Sequence, residues 1–356
     1  MKNPIGRRDF IKTATAGSIS LGLANKSLLV NNIADYQSSG RVGIIGLDTS
    51  HSIAFSRVLN DPAAGPEFGG YKVVAAYPKG SNDIKSSVDR IPGYTEDVKK
   101  LGVEIVNSID ELLEKVDVVL LETNDGRRHL EQALPVMKTG KRMFIDKPIA
   151  ASLPDTLAIF EMAKHYNVAV FSSSSLRYIT GAKEINEGSI GKVLGADTYS
   201  PATIEKTHPD LFWYGVHGVE TLFTIMGTGC KSVVRNFTAD TDFVVGTWSD
   251  DRIGTFRGIR SGRSSYGGTV FGEKEITVLG KYSGYNPLLI EIIKFFQTGI
   301  VPVSPEETTE IFAFMAAAEV SKQNDGSIVH LNDVIQGAKE QADIIVSNLK
   351  LSKIFI

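Results

Sequence analysis

Three segments of the chain carry residues whose types and spacing could do chemistry. Val42-Gly43-Ile44-Ile45-Gly46-Leu47-Asp48-Thr49-Ser50-His51 runs from an apolar stretch into small and polar residues, as a buried strand does on entering a helix. In a doubly wound fold that turn holds a dinucleotide phosphate on backbone amides. Asp146-Lys147-Pro148 follows another apolar stretch, at a strand end where catalytic groups of such folds sit. A lysine held there by the proline, near a cationic nicotinamide, can have its pKa lowered and hydrogen-bond a substrate hydroxyl. The third segment is Trp213-Tyr214-Gly215-Val216-His217. An imidazole at 217 is suited to take a hydroxyl proton while hydride leaves the same carbon. Trp213 and Tyr214 offer a platform to a sugar ring, with the Tyr214 hydroxyl as an extra donor. His208, Asp210 and Glu220 add polar groups nearby.

The first segment departs from the fingerprint G-x-G-x-x-G. Gly46 is in place, but Asp48 stands at the second glycine and His51 at the third. A side chain at 48 crowds the phosphate approach, and an ionised carboxylate facing the pyrophosphate repels it by roughly 1 kcal/mol or more when partly buried. Thr49, Ser50 and the helix amides still hold a phosphate if Asp48 turns away or caps the helix. The alternative is a domain in which Asp48 is a cap and no dinucleotide binds. The next strand ends in Tyr77-Pro78-Lys79-Gly80-Ser81, without the acid that holds an adenosine ribose. Lys79 and Ser81 could instead meet a 2′-phosphate, so NAD and NADP both stay open. No metal site is expected, because the 6 histidines show no tight ligand spacing. The single cysteine, Cys230, excludes an internal disulfide and a cysteine-based zinc site.

The elements that must position these residues follow from periodicity. Strands are expected at 41–45, 72–77, 116–121, 142–145 and 168–171, alternating with helices at 51–59, 109–115, 128–139 and 153–166. A polar insert separates 77 from 109. Such alternation implies parallel βαβ units whose strand C-termini meet at one edge, where ligands bind. Beyond about Ser175 the pattern becomes strands near 193–199, 232–237, 243–249, 252–259, 269–271 and 275–279, with Gly-rich turns. Helices are expected near 216–226, 287–298, 305–322 and 332–349. The fold class is therefore α/β, an N-terminal Rossmann domain (41–150) followed by a C-terminal α+β domain (151–356) with a large, mainly antiparallel open sheet.

At 356 residues, 42% hydrophobic and 22% charged, the chain has the composition of a two-domain globular protein. Its N-terminus, Gly6-Arg7-Arg8-Asp9-Phe10-Ile11-Lys12 before a mild apolar run to Ala24, reads as a twin-arginine export signal within residues 1–30, followed by a linker at 31–40. The expectation is a periplasmic or otherwise exported protein that engages the twin-arginine translocation machinery, without a lipid or membrane anchor. Residues 1–30 hold Lys2, Arg7, Arg8, Lys12 and Lys26 against Asp9, so the formal net charge of −3 becomes about −7 without them. That balance argues against nucleic acid as a partner.

In these motifs the chain resembles the Gfo/Idh/MocA family of nicotinamide-dependent, mostly sugar-acting oxidoreductases. The resemblance rests on Val42–Gly46, on Glu122-Thr123-Asn124 with His129, and on Gly140 to Pro148, where Asp146-Lys147-Pro148 replaces the usual Glu-Lys-Pro. Leu176-Arg177-Tyr178, Gly191-Lys192-Val193 and the helix around His217 extend it. The resemblance implies that Thr123 and Asn124 pass beside the ribose and nicotinamide, with Asp146 close by. It gives His129 a structural place and puts Arg177 at the substrate beside Trp213 and His208. Many members carry an Asp at the position of Trp213, so carboxylate tuning of His217 is not expected here. It also implies homo-oligomers, through the open face of the second sheet. The expected function is an NAD(P)-dependent sugar or polyol oxidoreductase. A glycosidase using transient oxidation, or a cofactor-free sugar-binding or scaffold protein of the same fold, is the alternative.

Overall fold

The computed structural model describes residues 39–351. The arginine-pair segment and most of the linker lie outside the described residues. The first sheet has six parallel strands in the order β3-β2-β1-β4-β5-β6: β1 Arg41–Ile45, β2 Lys72–Tyr77, β3 Glu104–Ile105, β4 Val118–Leu121, β5 Met143–Ile145 and β6 Val170–Ser172. β4, β5 and β6 are buried at every residue, the pattern of strands covered on both faces. The helices between them are α1 Ser50–Asn60, α2 Lys85–Val88, α3 Ile91–Lys100, α4 Ile109–Lys115, α5 His129–Lys138 and α6 Leu153–Tyr166. Ser108 and Ser152 start α4 and α6 by accepting from the amides of Glu111 and Asp155. The polar insert holds α2, α3 and β3, whose few apolar anchors are too sparse to show a period. This sheet runs through β6, beyond the expected boundary at residue 150.

After α7 Ala182–Asn186 the second sheet forms from β7 Val193–Pro201, β8 Cys230–Phe237, β9 Thr241–Trp248, β10 Ile253–Ile259, β11 Gly267–Gly272, β12 Ile276–Val278 and β13 Val329–His330. Its order is β12-β11-β7-β10-β9-β8-β13, antiparallel except for the parallel pair β7–β10. One face is covered by α8 Val216–Met226, α10 Pro305–Gln323 and α11 Leu331–Leu351. Gly218 lets α8 lie close on the sheet, since a Cβ there would meet the Phe256 ring at 2.3 Å.

The remaining helix, α9 Asn286–Thr298, belongs by sequence to the C-terminal half but packs on the first sheet. Leu288, Leu289, Ile292, Phe295 and Phe296 join Val42, Ile44, Val73, Leu120 and Phe171 in one core. The opposite face of that sheet, with Ala75, Val119, Leu121 and Met143, packs on α4, α5 and α6. Among the described residues no helix is long and apolar enough to cross a membrane.

Candidate active site

A cavity of about 210 Å³ opens at the C-terminal ends of β1, β4 and β5. On the first-sheet side it is bounded by Thr49, Ser50, His51, Arg90, Asn124 and Lys147. The other wall is aromatic: Trp213, Tyr214, Tyr266, Tyr282 and Tyr285, with His217 among them. A π-helical turn, Leu211–Gly215, leads into α8. The wider turn brings Trp213, Tyr214 and His217 to the same cavity.

Asp48 lies away from that cavity. It is fully buried, and its carboxylate accepts from the amides of Ser81 at 2.9 Å and Asn124 at 3.0 Å. It thereby ties the loops after β2 and β4 to the loop after β1. Burial raises its pKa, with the two amides opposing. The helix cap is Thr49, whose Oγ1 accepts from the amide of His51. Gly46 has φ +91°, and a Cβ there would lie 2.4–2.6 Å from Thr123, so the glycine is required for the close pass of the two loops.

Lys147 and His217 both reach the cavity. Lys147 is 8% exposed, and its Nζ stands over the Tyr214 ring at 5.6 Å from the centroid. The His217 Nδ1 lies 2.6 Å from Ser174 Oγ, which leaves Nε2 for a ligand. Burial, then Lys147 and His51, hold its pKa well below the ordinary imidazole value, so the ring is neutral. Tyr266 donates to the Tyr214 hydroxyl at 3.2 Å. Burial keeps the phenols of Tyr266 and Tyr282 protonated, as donors.

Several expected site residues are committed elsewhere. Arg177 is ion-paired to Glu220 at 2.9 Å and Glu307 at 2.7 Å, outside the cavity, so it braces the fold instead of meeting substrate there. His208 is buried beside Trp213, ring centroids 5.0 Å apart, and positions that ring without lining the cavity. Ser81 has its amide on Asp48 and its hydroxyl on Asp125, which takes it from the phosphate-binding role. Tyr77 packs its side chain against the apolar core. Asp210 pairs with Arg235 and Lys322. His129 bonds the carbonyls of Ile149 and Thr123, a structural place.

The structure adds residues that the motifs missed. Arg90 and Ser86, from the insert, and Tyr266, Tyr282 and Tyr285, from loops, line the cavity without any local pattern that marks them. Against the expectation of no metal site, His51, Glu122 and Asp146 each offer one ligand atom within 4.8 Å of the others. They come from the first turn of α1 and from the residues directly after β4 and β5, which is why no spacing reveals them. Burial, then Asp146 and Asp48, raise the Glu122 carboxyl well above its ordinary value. For Asp146 burial acts upward too, but His51 and Lys147 outweigh it and hold the group low.

Residues 41–174 match the model of an oxidoreductase family, Gfo/Idh/MocA, described as an NAD-binding Rossmann fold. An uncharacterized oxidoreductase of Streptococcus pneumoniae is 32% identical over 121 residues, which are 32% of each chain. The match thus spans about a third of that relative's length. Over the whole fold the chain is similar to a probable dehydrogenase from Thermotoga maritima, with TM-score 0.68, 21% identity and coverage of 83% of this chain and 100% of that one. It is also similar to scyllo-inositol dehydrogenase from Lactobacillus casei, solved with NAD(H) and scyllo-inositol, with TM-score 0.64, 16% identity and coverage of 83% and 100%. These likenesses establish the two-sheet architecture.

The cavity suits part of a nicotinamide dinucleotide. Asp48 is turned away, the N-terminus of α1 borders the space, and Arg90 supplies a cation there. The enclosed volume lies below the ~300–1,000 Å³ of common small-molecule sites, so it admits a ring rather than a whole dinucleotide.

Proposed function

We propose that this protein is an exported oxidoreductase that transfers hydride between NAD or NADP and a hydroxyl-bearing carbon of a sugar or polyol. One observation carries the reading: Lys147, on the Rossmann side, and the neutral His217, on the other, line one aromatic-walled cavity at the strand ends. The family match at 41–174 supports the oxidoreductase class and the nicotinamide cofactor. The polyol bound in the Lactobacillus casei structure is of the substrate class favoured here. The arginine pair near the N-terminus supports export.

Bound nicotinamide supplies the hydride acceptor or donor. Thr49, Ser50, Arg90, Asn124 and Lys147 are the residues placed to hold it. His217 Nε2 takes the hydroxyl proton, and Ser174 fixes the ring through Nδ1. The Lys147 ammonium orients the same oxygen. Trp213 and the tyrosines pack the C–H face of a sugar ring, while their phenols hydrogen-bond its hydroxyls.

The test is to purify the folded protein, denature it, and assay the supernatant for NAD and NADP, then screen sugars and polyols for hydride transfer. Stoichiometric nicotinamide, or saturable binding of added NAD or NADP, is expected. Neither release nor binding would overturn the redox reading and leave a sugar-binding protein of this fold.

A further inference from the structure

His51 borders the cavity, with Glu122 and Asp146 fully buried beside it, and the three have no part in the hydride chemistry described above. His51 stands in the first turn of α1, Glu122 directly after β4 and Asp146 directly after β5, so three neighbouring strands bring them together. Their side chains are 5%, 0% and 0% exposed. His51 Nδ1 is 2.9 Å from Asp146 Oδ2 and 3.9 Å from Glu122 Oε2. The first contact is at ion-pair distance.

The second observation is that the Glu122 carboxyl has no partner of its own. Both Glu122 oxygens are buried without a hydrogen-bond partner, and His51 Nδ1 and Asp146 Oδ2 have only one another. Buried polar atoms are otherwise nearly always paired, and a bare carboxyl group out of water calls for a cation or donors. The remaining oxygen, Asp146 Oδ1, accepts from the Lys147 amide at 2.8 Å, which fixes the carboxylate with Oδ2 directed inward.

We propose that His51 Nδ1, Glu122 and Asp146 Oδ2 bind one divalent first-row metal ion, of the Zn²⁺ or Mn²⁺ type, with an open coordination position toward the cavity. One imidazole and two carboxylates make a donor set of borderline hardness, suited to those ions rather than to thiolate-seeking ones. Ligand atoms around a tetrahedral ion with bonds of ~2.0–2.2 Å lie ~3.4 Å apart. The observed separations, 2.9 Å to at most 4.8 Å, reach that spacing by small side-chain rotations. Three protein ligands leave a fourth position for a water or a substrate oxygen, and His51 borders the cavity beside Lys147.

The experiment uses the whole folded protein, stripped with a chelator and then offered Zn²⁺ or Mn²⁺ alone. After desalting, elemental analysis should find about one ion per chain, and the ion should raise the thermal midpoint. Glu122→Gln and His51→Gln should each weaken uptake at least tenfold and remove the thermal shift. Co²⁺ added to the wild-type protein should give the intense visible bands of a four- or five-coordinate site, a readout that does not depend on any variant folding. The proposal is overturned if the wild type takes up no stoichiometric ion and Co²⁺ shows only the weak spectrum of the hydrated ion. It is equally overturned if the folded variants bind as the wild type does. None of these readings involves nicotinamide or sugar, so they stand or fall apart from the redox function.

Discussion

Each sheet buries a cluster of charge, and the two are held on opposite terms. In the second sheet the fully buried Arg235 donates to Asp242, Asp210 and Glu319, and Arg260 pairs with the second oxygen of Asp242. Every member has an opposite charge at hydrogen-bond distance. At the C-terminal strand ends of the first sheet His51, Glu122 and Asp146 are equally deep, yet His51 and Asp146 have only one another and both Glu122 oxygens find no partner. Asp48, in the loop just before His51, is buried too, and two backbone amides satisfy it. Burial alone therefore does not distinguish a structural charge from a chemical one; hydrogen-bond satisfaction does.

The comparison can be broken or sharpened by substitution. The largest effect is expected at the cavity, where Lys147→Ala and His217→Ala should each lower kcat/KM for hydride transfer about 10²–10⁴-fold. Urea unfolding should shift little beside that; activity falling only with the folded fraction would make both residues architectural. Arg235→Met should do the reverse, costing about 3–5 kcal/mol in stability because it strands buried carboxylates. A loss under ~1 kcal/mol in urea melts would remove the contrast between the clusters.

Next in size is a pH effect. Burial lowers the His208 pKa to about 4, with Asp125 opposing and Arg127 and His129 adding to the fall. The unfolded chain, with an ordinary value near 6.5, takes up the proton first, so stability is full above ~6.5 and declines as pH falls toward 4. Between pH 7.5 and 5 this group contributes a loss of about 2 kcal/mol, which His208→Gln should abolish in paired denaturant curves. Asp48→Ala should cost about 1–3 kcal/mol by leaving the amides of Ser81 and Asn124 unmatched, read in the same way. The smallest change is expected for Glu122→Gln in metal-stripped protein, a loss of no more than ~0.5 kcal/mol, since no hydrogen bond is broken. A loss of several kcal/mol there would place Glu122 with the structural charges.

Much of the frame is legible in the chain. Lys72–Tyr77, Ile109–Lys115, Leu153–Tyr166 and Val216–Met226 have the bounds that their apolar pattern predicts. Lys147, Tyr214 and His217 reach one cavity, as their chemistry suggests. What the chain conceals is non-local. The direction of the Asp48 carboxylate depends on two loops distant in sequence. Arg177 reads as a ligand-binding cation until Glu307 arrives from α10. The His51–Glu122–Asp146 group is assembled by strand order, which residue spacing does not encode.

The placement of α9 bears on how the molecule is assembled. The face of the first sheet that carries Val42, Ile44 and Phe171 is closed by Leu288 to Phe296. A growing chain emits all six strands of that sheet before the helix that seals it exists. The Rossmann half is thus an unfinished core during synthesis, with a greasy face exposed until the second sheet has been made. A fragment ending at residue 174 lacks that cover. What is produced first is, in this chain, closed among the last.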